Sequence, residues 1–262
     1  MLRFLCLLAL GGALLLLEIH DQKTFDQIAP NSTHIAGATS QIMPGLTDQF
    51  IRIDIPATNR APAFSYYLLQ PEGYDPARSY PLVVLLHGSS RHMYGGRYYV
   101  NSGVNKIHPA FLFVPVAPAG MDWGNPESDQ TSVGPLVIQI LDELRQKYNI
   151  DNSRIYISGY SLGGIGTFAM IRDHPDLFAA GLVLCGAWNP AQAAQFPTDV
   201  PILALRGEKD NLLDARPMII ALQKADRPAI YREYPGINHN VWDYAYPDPA
   251  IWDWLFSQQR KR

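Results

Sequence analysis

The chain has 262 residues, 21 basic and 24 acidic, and a formal net charge of −3, enough length for one large α/β domain with its own core. Hydrophobic residues make up 47% and charged residues 17%, the latter below the roughly 25% of an average soluble domain, which rules out disorder for the bulk of the chain. The near-neutral balance argues against non-specific nucleic-acid binding, and the two cysteines, Cys6 and Cys185, are too few for a disulfide framework or a cysteine-rich metal site.

Residues 1–17 stand apart. Arg3 supplies a positive charge, and residues 4–17 form an uninterrupted run of apolar residues and glycines, with Cys6 inside it, that ends at Glu18. A bilayer span takes about 20 residues, so the run predicts a signal-peptide core or a short membrane anchor. The rest of the chain is therefore expected outside the cytoplasm, secreted or periplasmic, with membrane contact only through this segment if it is retained. Residues 18–46 are small and polar and read as a linker or extension. Within it Asn31-Ser32-Thr33 fits a glycosylation acceptor, relevant only in a eukaryotic secretory route. One domain, 47–262, remains.

Residues 50–55 and part of 63–69 have period two and predict an antiparallel hairpin at the start of the domain. Short runs that are apolar throughout follow at 82–86, 111–116, 155–157, 181–185, 202–205 and 229–231. Strands apolar on both faces belong in a parallel sheet covered on both sides. Cys185 falls in one of them and reads as a buried strand residue. Val133, Leu136, Val137, Ile140, Leu141 and Leu144 have helical spacing, and further helices fit 162–172, 215–224 and 249–258. Alternating strands and helices predict an α/β fold with a mostly parallel, doubly wound sheet and an antiparallel amino-terminal part.

The chemistry concentrates where Ile155-Tyr156-Ile157 runs into Gly159-Tyr160-Ser161-Leu162-Gly163-Gly164. A strand, Gly-x-Ser-x-Gly and a helix together form a turn so tight that the serine hydroxyl projects above the sheet, and side chains at Gly159 and Gly163 would collide across it. Ser161 is the candidate nucleophile. A serine needs a base and an orienting acid, which follow such an elbow in the order acid, histidine. His174, one helix further on, reads as the end of that helix. His239 lies in a glycine-bearing loop straight after the last strand and is the candidate base. Asp210, just past the strand at 202–205, is the candidate acid. Glu208 and Asp214 are its neighbours and rivals, Asp214 reading better as a helix cap. The strand at 82–86 opens into His87-Gly88-Ser89, and backbone amides near Ser89 and at Leu162 are expected to form an oxyanion hole. His87 itself reads as structural.

The segments His87-Gly88, Gly159 to Gly164, Gly207-Glu208-Lys209-Asp210 and Gly236-Ile237-Asn238-His239 resemble the α/β-hydrolase superfamily. Asp151-Asn152-Ser153-Arg154-Ile155-Tyr156 and Tyr234-Pro235-Gly236 resemble its secreted esterase and predicted-peptidase branch, near feruloyl esterases, polyhydroxybutyrate depolymerases and prolyl-oligopeptidase-type domains. The likeness runs over about 64–258 and shows no large lid. It departs at Arg206, where relatives often carry histidine. It implies a serine hydrolase acting on a small-molecule or polymer-linked carboxylic ester, with a peptidase or a catalytically silent binding protein of the same fold as alternatives. Trp123, Trp188 and Trp242, each just beyond a strand or the base loop, and Tyr160 in the elbow are candidate substrate contacts, as are His92, Tyr94 and Arg97. Loop packing is the plainer reading of the tryptophans. His87 and His92 have no cysteine or carboxylate beside them, so neither a metal nor a cofactor is expected.

Overall fold

The computed structural model describes residues 49–59 and 62–261; the apolar run at 4–17, the whole 18–46 stretch that follows it, Cys6 and Asn31 lie outside the described residues. An eight-stranded sheet is built from β1 (Ile51–Ile55), β2 (Phe64–Leu69), β3 (Tyr80–Leu86), β4 (Phe111–Val116), β7 (Ile150–Tyr160), β8 (Ala180–Leu184), β9 (Ile202–Gly207) and β10 (Ala229–Tyr234). Their order is β1-β2-β4-β3-β7-β8-β9-β10. β1 pairs antiparallel with β2, and β2 antiparallel with β4; every later pair is parallel. Two short strands, β5 (Met121–Asp122) and β6 (Thr131–Ser132), make a separate parallel pair.

All seven residues of β3 are buried, as are all five of β8, because helices cover both faces of the sheet. Expected helices appear at α3 (Gly134–Lys147), α4 (Leu162–Asp173), α5 (Arg216–Lys224) and α7 (Pro249–Ser257). Asp248 caps α7 by accepting the Ala250 amide at 3.0 Å, a contact that contributes about 1 kcal/mol. Three helices lie where no periodicity announced them: α1 (Tyr94–Asn101), α2 (Val104–Ile107) and α6 (Trp242–Ala245). α1 begins Tyr-Gly-Gly, a poor local helix former. Its glycines are packed instead, Gly95 against Leu85 and Tyr246 and Gly96 against Phe50. Tertiary contact, not propensity, makes that helix.

Cys185 corrects the sequence reading. It is buried, but it lies one residue past β8 at a φ of 40°. Its amide still reaches the Leu205 carbonyl of β9 at 2.7 Å, so the chain turns there without losing its ladder bond. Among the described residues, no helix is long and apolar enough to cross a membrane.

Candidate active site

Four parallel strands end on the same edge of the sheet. β7 runs into Ser161, β9 into Asp210, β10 into His239, and β3 into His87-Gly88-Ser89. Ser161 sits at φ 55° and ψ −119°, a conformation a non-glycine residue holds only when its surroundings impose it, at a cost of order 1–3 kcal/mol. The imposition is visible on both sides of the turn. A Cβ on Gly159 would lie 2.2 Å from the Gly163 carbonyl oxygen, and one on Gly163 would lie 2.2 Å from that of Leu86. Only glycine permits so close an approach of backbone to backbone. The Ser161 amide is tied to the Leu184 carbonyl at 2.9 Å.

His239 Nε2 is 2.9 Å from Ser161 Oγ, and its Nδ1 is 2.8 Å from Asp210 Oδ2. A carboxylate only accepts, so Nδ1 carries the proton and donates it; neutral Nε2 then accepts from the serine hydroxyl. The Asp210 side chain is fully buried, whereas His239 is 22% exposed. The other Asp210 oxygen accepts the Leu212 amide at 2.9 Å. The rivals are engaged elsewhere. Glu208 accepts the Gly236 amide at 2.6 Å. Asp214 accepts the Arg216 amide at 2.9 Å, serving the first turn of α5 from just before it. His174 ends α4 by giving its amide to the Met170 carbonyl.

Cys185, itself buried, completes a group of donor atoms with the buried Asp210 and the half-buried His239, all within 4.8 Å of one another. Burial pushes its thiol far up from its ordinary range, so it stays protonated and is a poor ligand for a cation. The imidazole is already held between Asp210 and Ser161. The arrangement suits proton transfer along a hydrogen-bonded chain.

The turn at Gly88 is braced from below. His87 Nδ1 donates to the Gly88 carbonyl at 2.7 Å, and Nε2 accepts the Ala117 amide at 3.0 Å. The Arg91 amide also reaches the Gly88 carbonyl, at 3.0 Å. A trans peptide sets N–H opposite C=O, so fixing that carbonyl turns the Ser89 amide the other way. Burial lowers His87 to about 4. Leu162 supplies the first amide of α4, which has no acceptor within its own helix. Tyr160 lies behind both. Its hydroxyl donates to the His92 carbonyl at 3.0 Å and meets Ser90 Oγ at 3.3 Å, and a Cβ on Gly88 would strike its ring at 2.6 Å. Burial pushes its phenol up to about 12.

The aromatic candidates separate. Trp242 stands beside the base, perpendicular to the His239 ring at 5.6 Å, tilted on Tyr160 at 4.8 Å and stacked on Tyr94 at 5.6 Å. The Arg97 guanidinium lies over the Tyr94 ring, 5.4 Å from its centroid, and His92 meets Tyr94 edge to face. Trp123 is buried, its indole nitrogen donating to the His87 carbonyl at 2.9 Å. It packs beneath the turn and offers no face to a substrate. Trp188 packs against Phe168 and Phe196 on the flank of α4, under the Arg172 guanidinium. Sequence position alone put these two tryptophans at strand ends. Their side chains turn into the core, because a large apolar ring gains more by burial there. Tyr98, which no sequence signal singled out, joins the Trp242 helix to α1 by donating to Asp243 at 3.0 Å.

A sheet with this strand order, a strained serine elbow after β7, and an acid and a histidine after β9 and β10 defines the α/β-hydrolase class, and the chain has that fold. Residues 135–192, from α3 through the elbow, match the Prolyl oligopeptidase family. Among solved structures, a thermostable esterase superimposes with a TM-score of 0.75 at 29% identity, covering 82% of this chain and 64% of that one. The bifunctional acetylxylan esterase/xylanase of Neocallimastix patriciarum is 35% identical over 30% of this chain. A putative esterase of Nocardia uniformis subsp. tsuyamanensis is 33% identical over 37%. The chain spans only 12% and 28% of the lengths of these two relatives.

Proposed function

We propose that the protein is a serine hydrolase that cleaves a carboxylic ester through an acyl-enzyme. Ser161 attacks the carbonyl carbon while His239 takes its proton, and Asp210 fixes the imidazole and stabilises its cation. The amides of Ser89 and Leu162 hold the oxyanion. The imidazolium protonates the departing alcohol, and water then repeats the cycle on the acyl-enzyme. The observation that supports this most is the pair of contacts through one imidazole, 2.9 Å to Ser161 and 2.8 Å to Asp210. An ester is favoured over a peptide because an alkoxide asks less of the general acid and because the individual relatives just named carry esterase names, the Prolyl oligopeptidase match at 135–192 standing on the peptidase side. An acetylated polysaccharide belongs to the substrate class of one of them, and small-molecule or polymer-linked esters form the class proposed here. The same reading places the domain outside the cytoplasm, directed there by the apolar run at 4–17.

Labelling with a fluorophosphonate tests the nucleophile. The native protein is expected to label and Ser161→Ala to remain unlabelled; labelling that persists in the mutant would sink the assignment, and an unlabelled native protein would point to a silent fold. Hydrolysis of aryl esters but not of peptide amides is expected. Asp210→Asn should cut turnover by up to about 10⁴-fold through the wrong imidazole tautomer, whereas Asp214→Asn should leave it nearly intact.

A further inference from the structure

Arg206 is the last side chain of β9 before the loop that carries Asp210, and only 12% of it is exposed. It stands opposite Glu233 in the parallel register of β9 with β10. Nη1 donates to Glu233 Oε1 at 2.8 Å, Nε donates to the Leu213 carbonyl at 3.2 Å, and Nη2 donates to the Asp210 carbonyl. Asp214 Oδ1 lies 3.8 Å from Nε. Glu233 is fixed in turn by the Tyr231 hydroxyl at 3.0 Å and by Arg216. One planar fork thus spans the acid loop, gripping it at two carbonyls three residues apart, with its root on the neighbouring strand. The loop also folds back on itself, the Asp210 amide reaching the Gly207 carbonyl at 3.0 Å before the first gripped carbonyl and the Leu212 amide reaching the Asp210 carboxylate at 2.9 Å between the two.

We infer that Arg206 is a positioning residue, whose guanidinium, rooted on Glu233, holds the 207–214 loop by its backbone so that the Asp210 carboxylate stays aligned on His239 Nδ1. The inference rests on the serine-hydrolase reading and adds to it the element that keeps the acid in place. Geometry explains why arginine does this. A lysine would bring one compact ammonium where three separately directed N–H groups are used. An acid that drifts by about 1 Å no longer supports the imidazolium, and such a misplacement can slow a reaction about 100-fold. The groups that face His239 are Asp210, the Ser161 hydroxyl and the Cys185 thiol. Those that face Arg206 are Glu233, Asp214 and the Tyr231 hydroxyl, with Arg216 beyond Glu233.

The test follows the second-order rate of fluorophosphonate labelling against pH, which needs no knowledge of the substrate. Arg206→Lys is expected to lower that rate between about 10- and 100-fold. The acidic limb of its profile should move to lower pH, because an imidazolium deprived of its carboxylate gives up its proton more readily. Arg227→Lys is the control. Arg227 also grips backbone, donating to the carbonyls of Phe196 at 3.1 Å, Ala194 at 3.0 Å and Ala225, but remote from the site. It should lower the melting temperature while leaving rate and limb unchanged. Should Arg206→Lys not fold, Glu233→Gln, which loosens the root alone, should slow labelling several-fold with the limb shifted the same way. Labelling at the native rate, an unmoved limb, or equal slowing by Arg227→Lys would overturn the inference while leaving the nucleophile intact. A native protein that does not label at all overturns the serine-hydrolase reading itself, and the role of Arg206 with it.

Discussion

At the scale of single residues, His87 ties stability to pH. The folded chain keeps this imidazole neutral down to about pH 4, whereas an unfolded chain protonates it near its ordinary value of 6.5. Between those values the unfolded state binds more protons, so stability is fully present above about pH 6.5 and declines as the pH falls towards 4. The loss should reach at most about 3 kcal/mol. Urea unfolding at pH values across that window should show the decline, and His87→Gln, which cannot take up the proton, should flatten it. Burial is the main cause, since it penalises the charged ring. A protonated His87 would also present a second N–H to the Ala117 amide, where an acceptor is required. Its place before a glycine turn marked His87 as structural in the sequence but did not give its tautomer, which depends on the Ala117 amide, 30 residues away and just past β4.

At the scale of elements, the acid and base loops behave as one unit. The Glu208 amide reaches the Tyr234 carbonyl at 2.9 Å, and the Lys209 amide reaches that of Ile237 at 2.8 Å. Gly207 allows the approach, since a Cβ there would lie 2.0 Å from the Asn238 carbonyl oxygen. That atom is backbone beside His239 and cannot swing aside. Gly207→Ala should therefore lower stability by about 1–3 kcal/mol and slow turnover at least about 10-fold by shifting His239 from Asp210. Gly73→Ala is the contrast. Its φ is 63° but nothing lies within 4 Å of the added methyl, so it should cost about 1 kcal/mol and leave turnover unchanged. Chemical denaturation with parallel ester assays separates the two. The motif spacing predicted Ser161, Asp210 and His239 as candidates because each follows a strand. The stitches between their loops are long-range and carry no local signal.

At the scale of the whole molecule, one edge of the sheet gathers the chemistry. β3, β7, β9 and β10 all deliver a loop there because parallel strands share a direction, and the antiparallel β1 and β2 extend the sheet on the side away from the acid and base. The tail is drawn back beneath. The Arg260 amide donates to the Ser153 carbonyl at 2.9 Å, and its guanidinium reaches the Pro175 carbonyl and Asp176. The proposal that the 4–17 run exports this unit predicts that the protein is recovered outside the cytoplasm. Cell fractionation with intact-mass analysis checks this: a shortened soluble product marks a cleaved signal, a full-length membrane-bound one marks an anchor, and a full-length cytoplasmic one refutes export.

What the sequence determined by itself is whatever local chemistry dictates. Continuous apolar runs required a sheet buried on both faces, the Gly159–Gly163 spacing required an elbow at Ser161, and a polar residue straight after a strand had to emerge at the sheet's edge. What only the tertiary structure decided depends on partners distant in the chain. It turned Trp123 and Trp188 into the core and Trp242 towards the base, made a helix of Tyr94–Asn101 despite its glycines, moved Cys185 out of its strand, and locked Arg206 onto two carbonyls of the acid loop. Periodicity records which face of an element is apolar. It holds no record of which neighbour, brought close by folding, that face or loop will meet.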